Sequence, residues 1–259
     1  MSTTALPRAN IARYASALRE GGSLPALVEA EGGEMMVAKW RGAGQGVAAL
    51  VAEIIAGELA RAAGFNMPGL AILELNTAIG KNERDQEIRD LLVASEGSNL
   101  GMQFLEGALA FDPAAHVDLA PGTAAKLVLF DSVVMNVDRT ARNTNLLWWN
   151  DDLWLIDHGA ALYWHHGWDG AVERPTRAFP MVGQHVLLPV ADRLEDAAAE
   201  LGSLLTPEQV AAAVGKVPTP WLIGDDADAR RDAYIGFLTA RVEALPALVE
   251  EASNARAAL

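Results

Sequence analysis

Residues Asn136 to Gly159 read NVDRTARNTNLLWWNDDLWLIDHG. The apolar run from Ala124 to Met135 leads into this stretch and predicts a buried helix over Pro121 to Met135. Behind it, a polar cluster sets Asp138 and Asn143 five residues apart, with Asn145 just beyond. Two short apolar runs follow, Leu146 to Trp149 and Leu153 to Ile156, separated by the turn signal Asn150-Asp151-Asp152. Short apolar runs about such a turn predict a β-hairpin. The second run delivers Asp157 at its end, ahead of His158 and Gly159.

A loop carrying Asp and Asn, folded back by a hairpin onto a second Asp, gathers hard oxygen donors at one point. Carboxylates and an amide carbonyl suit Mg²⁺, which keeps waters and shares its shell with nucleotide phosphates. Each residue alone reads as ordinary turn punctuation. Together, between an apolar helix and an apolar hairpin, they match the kinase arrangement of a base Asp, an Asn five residues on and a metal-binding Asp after a hairpin.

Upstream, Tyr14 to Leu18, Pro25 to Glu29 and Glu34 to Trp40 read as strands, joined at Gly21-Gly22-Ser23 and Gly32-Gly33. Gly21, Gly22 and Ser23 form either an ordinary hairpin turn or a loop whose N–H groups cover phosphates; a full G-x-G-x-x-G is absent. Lys39 lies within the apolar strand MMVAKW. Burying an ammonium without a partner is costly, so it either meets an anion or faces water from an edge strand. A helix is expected over Val47 to Ala63, stopped by Gly64 and carrying Glu53 and Glu58, of which periodicity favours Glu58 as the inward one. Leu70 to Leu75, Leu91 to Ser95 and Met102 to Leu105 read as further strands of an antiparallel sheet, and Asn82 to Asp90 as a solvated helix or loop.

Bulk composition narrows the classes. The 259 residues are 51% hydrophobic with net charge −14, which argues against nucleic acid or an anionic membrane as a general partner. No cysteine occurs, so disulfides, thiolate nucleophiles and Cys-bound zinc are excluded. The N-terminus lacks a signal-peptide pattern and no apolar run suggests a membrane span, so a cytoplasmic protein is expected.

DRTARN followed by LWLIDHG resembles the catalytic and metal-binding segments of the HipA-like kinases, in the compact variant with DR at the base Asp. LARAAGFNMP, Leu59 to Pro68, is similar to a further motif of that family. The resemblance implies an α+β, bilobal protein-kinase-like fold: an N-terminal antiparallel sheet lobe with one helix, residues 1–106, and a mostly helical lobe, residues 107–259. It also implies ATP and Mg²⁺ as cofactors. Asp138 would orient or deprotonate a hydroxyl acceptor, protein Ser/Thr or small-molecule alcohol, while Asn143 (alternatively Asn145) and Asp157 would hold Mg²⁺. Lys39, braced by Glu53 in preference to Glu58, would grip phosphates under Gly21, Gly22 and Ser23, and backbone groups of Gln103, Phe104 and Leu105 would meet adenine. The extra N-terminal subdomain of full-length HipA toxins is not expected here, and neither toxin activity nor an antitoxin partner is implied. A pseudokinase, an aminoglycoside-phosphotransferase-like small-molecule kinase and a Mg²⁺-dependent hydrolase remain alternatives.

In the second half, Asp131 is expected to face solvent or to hold the catalytic loop. Arg139 and Arg142 suit a substrate phosphate or pairing with Asp151 or Asp152. In YWHHGW, Tyr163 to Trp168, adjacent His165 and His166 point apart and read as part of a packed aromatic segment. Thr206 to Gln209 forms a capping box with Pro at the first helical position. Asp225 to Glu251 reads as one long helix, kinked at Pro246.

Overall fold

Buried and half-buried residues alternate along Ala26–Ala30 (β2) and Met35–Lys39 (β3), so each strand turns one face into an apolar core. The computed structural model describes residues 5–18, 24–115, 119–168, 174–224 and 226–259. These form mixed α and β structure in two compact units, residues 1–51 with 68–107 and residues 52–67 with 108–259.

In the first unit β1 (Arg8–Ala17), β2, β3, β4 (Leu70–Leu75) and β5 (Gly97–Gln103) close a barrel in the order β1-β2-β3-β5-β4. The expected antiparallel sheet is corrected here. β1 starts at Arg8, well before Tyr14, and its first residues pair in parallel with β4: Arg8 with Ile72, Ala9 with Leu73, Asn10 with Glu74. Closure leaves no open edge. Val28, Met36, Ala38, Trp40 and Leu73 fill the interior.

The predicted strand over Leu91 to Ser95 is instead the end of helix α2 (Gln86–Ala94), whose start falls within the stretch read as helix or loop. Asp85 caps it by accepting from the Glu87 N–H, and Ile88 and Leu92 face the barrel core. Buried Asn99 then ties β5 to the loop after β3. It accepts from the Arg41 N–H at 2.9 Å and donates to the Ser95 and Gly97 carbonyls.

Helix α1 (Gly46–Ala62) begins in the first unit and ends in the second. Its stop is the expected one. Gly64 takes a left-handed φ of 82°, and the Phe65 N–H returns to the Ala60 carbonyl at 3.0 Å.

The second unit is built on α3 (Thr123–Val134), the predicted apolar helix, with α4 (Leu194–Leu204), α6 (Ala227–Glu243) and α7 (Leu245–Ala257) around it. α5 (Pro207–Gly215) starts as read, with the Thr206 hydroxyl accepting from the Gln209 N–H. The long helix expected from Asp225 is two helices parted at Ala244, because Pro246 occupies the first turn of α7, where its missing N–H costs nothing.

The predicted hairpin is β7 (Leu146–Trp149) with β8 (Asp152–Leu155), and β6 (Leu109–Ala110), absent from the sequence reading, pairs with β7. Trp164 stacks on Phe237 with centroids 4.2 Å apart; His165 is buried and His166 exposed, as the aromatic-segment reading expects. Buried Arg241 holds the chain beyond this segment. It donates to the carbonyls of Pro175, Arg177 and, on α3, Ser132. No helix among the described residues is long and apolar enough to cross a membrane.

Candidate functional site

α3 ends where Met135 adopts a left-handed φ of 53°, which turns the chain out of the helix at Asn136. The loop that follows is organised from below by Asp131, which is buried on α3. The sequence reading took solvent as the default for this carboxylate. Instead it accepts from the Arg139 Nε–H, from the His185 Nε2–H at 3.0 Å and from the Asn136 side-chain amide at 3.2 Å. The Leu187 N–H donates to His185 Nδ1, which leaves the proton on Nε2. Burial pushes the Asp131 carboxyl upward, but Arg139 and His185 outweigh it and hold the group well below the usual carboxylate range.

Arg139 is likewise fully buried, and its partner is Asp131, not Asp151 or Asp152. One Nη1–H donates to the Asn145 carbonyl at 2.5 Å, and Nη2 lies 3.1 Å from His158 Nε2. A guanidinium only donates, so Nε2 accepts and the neutral His158 carries its proton on Nδ1. Arg142 is exposed.

On this base the predicted site residues come together. Asn143 donates to Asp138 Oδ2 at 2.8 Å. The Asn145 side-chain amide reaches the same oxygen and the Asp157 carbonyl, each at 3.5 Å. Asn145 and Asp157 are both left-handed, at φ 48° and 55°. A non-glycine residue held there carries strain and persists only where its surroundings enforce it; here the Ile156 N–H to Asn145 carbonyl bond, 3.1 Å, does so. The Asp138 carboxyl is raised above its ordinary value, chiefly by burial, with the Asp157 charge adding to it and the two asparagines opposing it.

Asn66, within the GFNMP tail, is a participant that sequence reasoning missed. Its carbonyl accepts from Leu155 at 3.0 Å and its side chain donates to the Leu153 carbonyl at 3.3 Å, so the segment after α1 is bonded to the strand that delivers Asp157. His185 was also missed; it stands 47 positions after Asp138 with no local motif around it.

The remaining predicted residues lie as follows. Lys39 is half-buried on β3, on the face opposite the barrel core, and β3 is bonded on both sides, which corrects the edge-strand alternative. Glu53 and Glu58 are both buried, correcting the expectation that only one of them turns inward, because α1 is enclosed on every side from Leu50 to Ala60. Glu58 accepts from Lys216 Nζ at 2.6 Å. The Gln103 and Phe104 N–H groups donate to the carbonyls of Gly69 and Met35. Gly21, Gly22 and Ser23 lie outside the described residues.

Among the described residues no cluster of three or more His, Asp or Glu side chains stands ready as a closed metal cage. The donor set at Asp157 fits a divalent cation that completes its shell from a phosphate. Asp157 is exposed, and Asn143 turns its amide nitrogen to Asp138, which keeps its carbonyl oxygen for a cation.

The sequence model of the HipA-like kinases matches residues 11–245. Among solved structures, the proinflammatory kinase CtkA of Helicobacter pylori is similar, with a TM-score of 0.57 and 10% identity over 96% of this chain and 98% of that one. At that identity the likeness speaks for the fold. No curated protein matches the chain.

Proposed function

This chain belongs to the HipA-like kinase family, and we propose that it transfers the γ-phosphoryl group of ATP to a hydroxyl acceptor, a serine or threonine side chain. The observation that carries the reading is the junction at Asn145, whose amide reaches the Asp138 carboxylate and the Asp157 backbone together. It supports base and metal-ligand roles for the two loops, as phosphoryl transfer uses them.

Asp138 receives the acceptor proton as the hydroxyl oxygen bonds to the γ-phosphorus and the bond to the β-phosphate oxygen breaks, releasing ADP. Its raised carboxyl suits a proton acceptor. Asn143 and Asp157 would hold Mg²⁺, which when bound neutralises charge on the phosphates. Asn145, buried, braces the two loops through its side-chain N–H groups. Lys39 would grip phosphate, and Glu53 is the glutamate this reading ties to nucleotide binding, because Glu58 is bonded to Lys216. A backbone donor to adenine falls to Leu105, since the N–H groups of Gln103 and Phe104 are already bonded.

Thermal melting with ATP and Mg²⁺, on the wild type and on Asp157→Asn, tests the reading. A ligand at a hundredfold excess over Kd stabilises by about 2.7 kcal/mol. The expected result is a Mg²⁺-dependent rise lost in the variant, together with ³²P transfer from γ-labelled ATP to a protein acceptor. No rise at millimolar ATP overturns it.

A further inference from the structure

We propose that Arg139 is a positioning residue that locks the Asp157 segment to the Asp138 loop through His158, so that the metal-binding segment is assembled before any ligand arrives. The inference rests on the phosphotransferase reading for its catalytic consequence, but its structural content stands separately.

One buried guanidinium spends its donors on three pieces of chain: the Asp131 carboxylate on α3, the Asn145 carbonyl ahead of β7, and His158 Nε2. Its own carbonyl accepts from the Val186 N–H at 3.1 Å, and Thr140 bridges to His185, so the loop is held from a fourth direction as well. His158 has no exposed surface and its ring meets Phe130 of α3 edge-on at 6.4 Å. Swinging the Asp157 segment away would therefore carry a polar ring out of its pocket and leave a buried Arg N–H without an acceptor, which is costly. An apolar residue at position 158 would slide in and out without that loss. The histidine thus converts a segment that could flip into one fixed by a charge-assisted bond.

Two further contacts fix the same segment after His158. The Ala161 N–H returns to the His158 carbonyl at 2.9 Å, and the Leu162 N–H donates to Val134 of α3 at 2.8 Å. Leu162 is held left-handed, at φ 53°, between these anchors. Nucleotide then binds an already formed metal site, and control of this enzyme does not run through reorientation of Asp157.

The test compares His158→Phe with His158→Gln, leaving the Arg139–Asp131 pair untouched; the Gln side-chain oxygen can take the place of Nε2 as acceptor. Hydrogen–deuterium exchange on the 259-residue chain without ligand reads residues 157–162 directly. In His158→Phe, amide exchange at Ala161 and Leu162 should quicken by about tenfold or more, the scale of one lost bond to a charged donor. The Mg²⁺ concentration for half-maximal turnover should rise by a similar factor, with the limiting rate at saturating Mg²⁺ less affected. His158→Gln should restore both. Unchanged exchange in His158→Phe, or His158→Gln as impaired as His158→Phe, overturns the proposal. If the wild type turns over no ATP, the exchange measurement still decides, so failure here is separable from failure of the phosphotransferase reading.

Discussion

Lys216 Nζ lies 2.6 Å from Glu58 Oε2, and both side chains are largely withdrawn from water. This pair engages one of the two glutamates of α1. Glu58→Gln removes the anion from a part-buried ammonium and should lower stability by about 1–3 kcal/mol, while the ATP- and Mg²⁺-dependent thermal shift persists. Glu53→Gln should do the opposite at the site, abolishing that shift. Melting curves of both variants with and without nucleotide check the assignment, and loss of the shift in Glu58→Gln would reverse it.

Acid should unfold the chain in two stages with the same sign. His165 is lowered to about 3, mainly by burial and further by His166 and Arg230. An unfolded histidine takes up its proton near pH 6.5, so protons favour the unfolded chain and stability falls as pH drops from about 6.5 toward 3. The slope from this one group reaches about 1.4 kcal/mol per pH unit. Asp131, depressed in the folded state, gives its full contribution above about pH 4 and loses it below. Urea unfolding at a series of pH values should show a shallower slope between pH 6 and 4 in His165→Phe than in the wild type.

The site was more legible than the fold around it. The juxtaposition of Asp138, Asn143, Asn145 and Asp157 in the candidate site is legible because it is local: a helix stop, a short loop and a hairpin bring them together within 20 residues of sequence. Barrel closure was not legible, because Arg8 pairs with Ile72 across intervening elements and parallel pairing leaves no turn signal. Leu91 to Ser95 misled because a short apolar run fits strand and helix equally; Asp85 as N-cap was the usable clue. The support beneath Asp138 was hidden for a different reason. A buried carboxylate such as Asp131 looks like a surface one until His185, far along the chain, is placed beside it.

The closed barrel makes Gly101 a sensitive position. A Cβ there would stand 2.6 Å from Leu73 Cδ1, 2.7 Å from Leu73 Cγ and 3.1 Å from Met36 Cε. Leu73 is fully enclosed, so it has little room to turn away. Gly101→Ala should cost about 1–3 kcal/mol by overpacking, measured by urea unfolding. Leu73→Val in the same chain should recover part of the loss, because it removes one of the crowding carbons. A neutral Gly101→Ala would mean that the barrel interior is looser than the closed pairing requires.

Asn150 and Asp151 link β7 to β8 with φ values of 50° and 60°. Two successive left-handed residues make a type I′ turn, whose twist matches the strands it joins, and glycine is the favoured second residue. The rest of the hairpin is already well clasped. Trp154 donates its indole N–H to the Trp149 carbonyl at 3.1 Å, and the two rings meet edge-on at 5.0 Å. Asp151→Gly should therefore relieve backbone strain without moving the strands, raising stability by about 0.5–1 kcal/mol and the melting temperature by about 1–4 °C. Since the substitution lies at the far end of β8 from Asp157, the nucleotide-dependent shift should be the same size in the variant. A destabilised Asp151→Gly would mean that the aspartate side chain, and not the turn conformation, holds the hairpin closed.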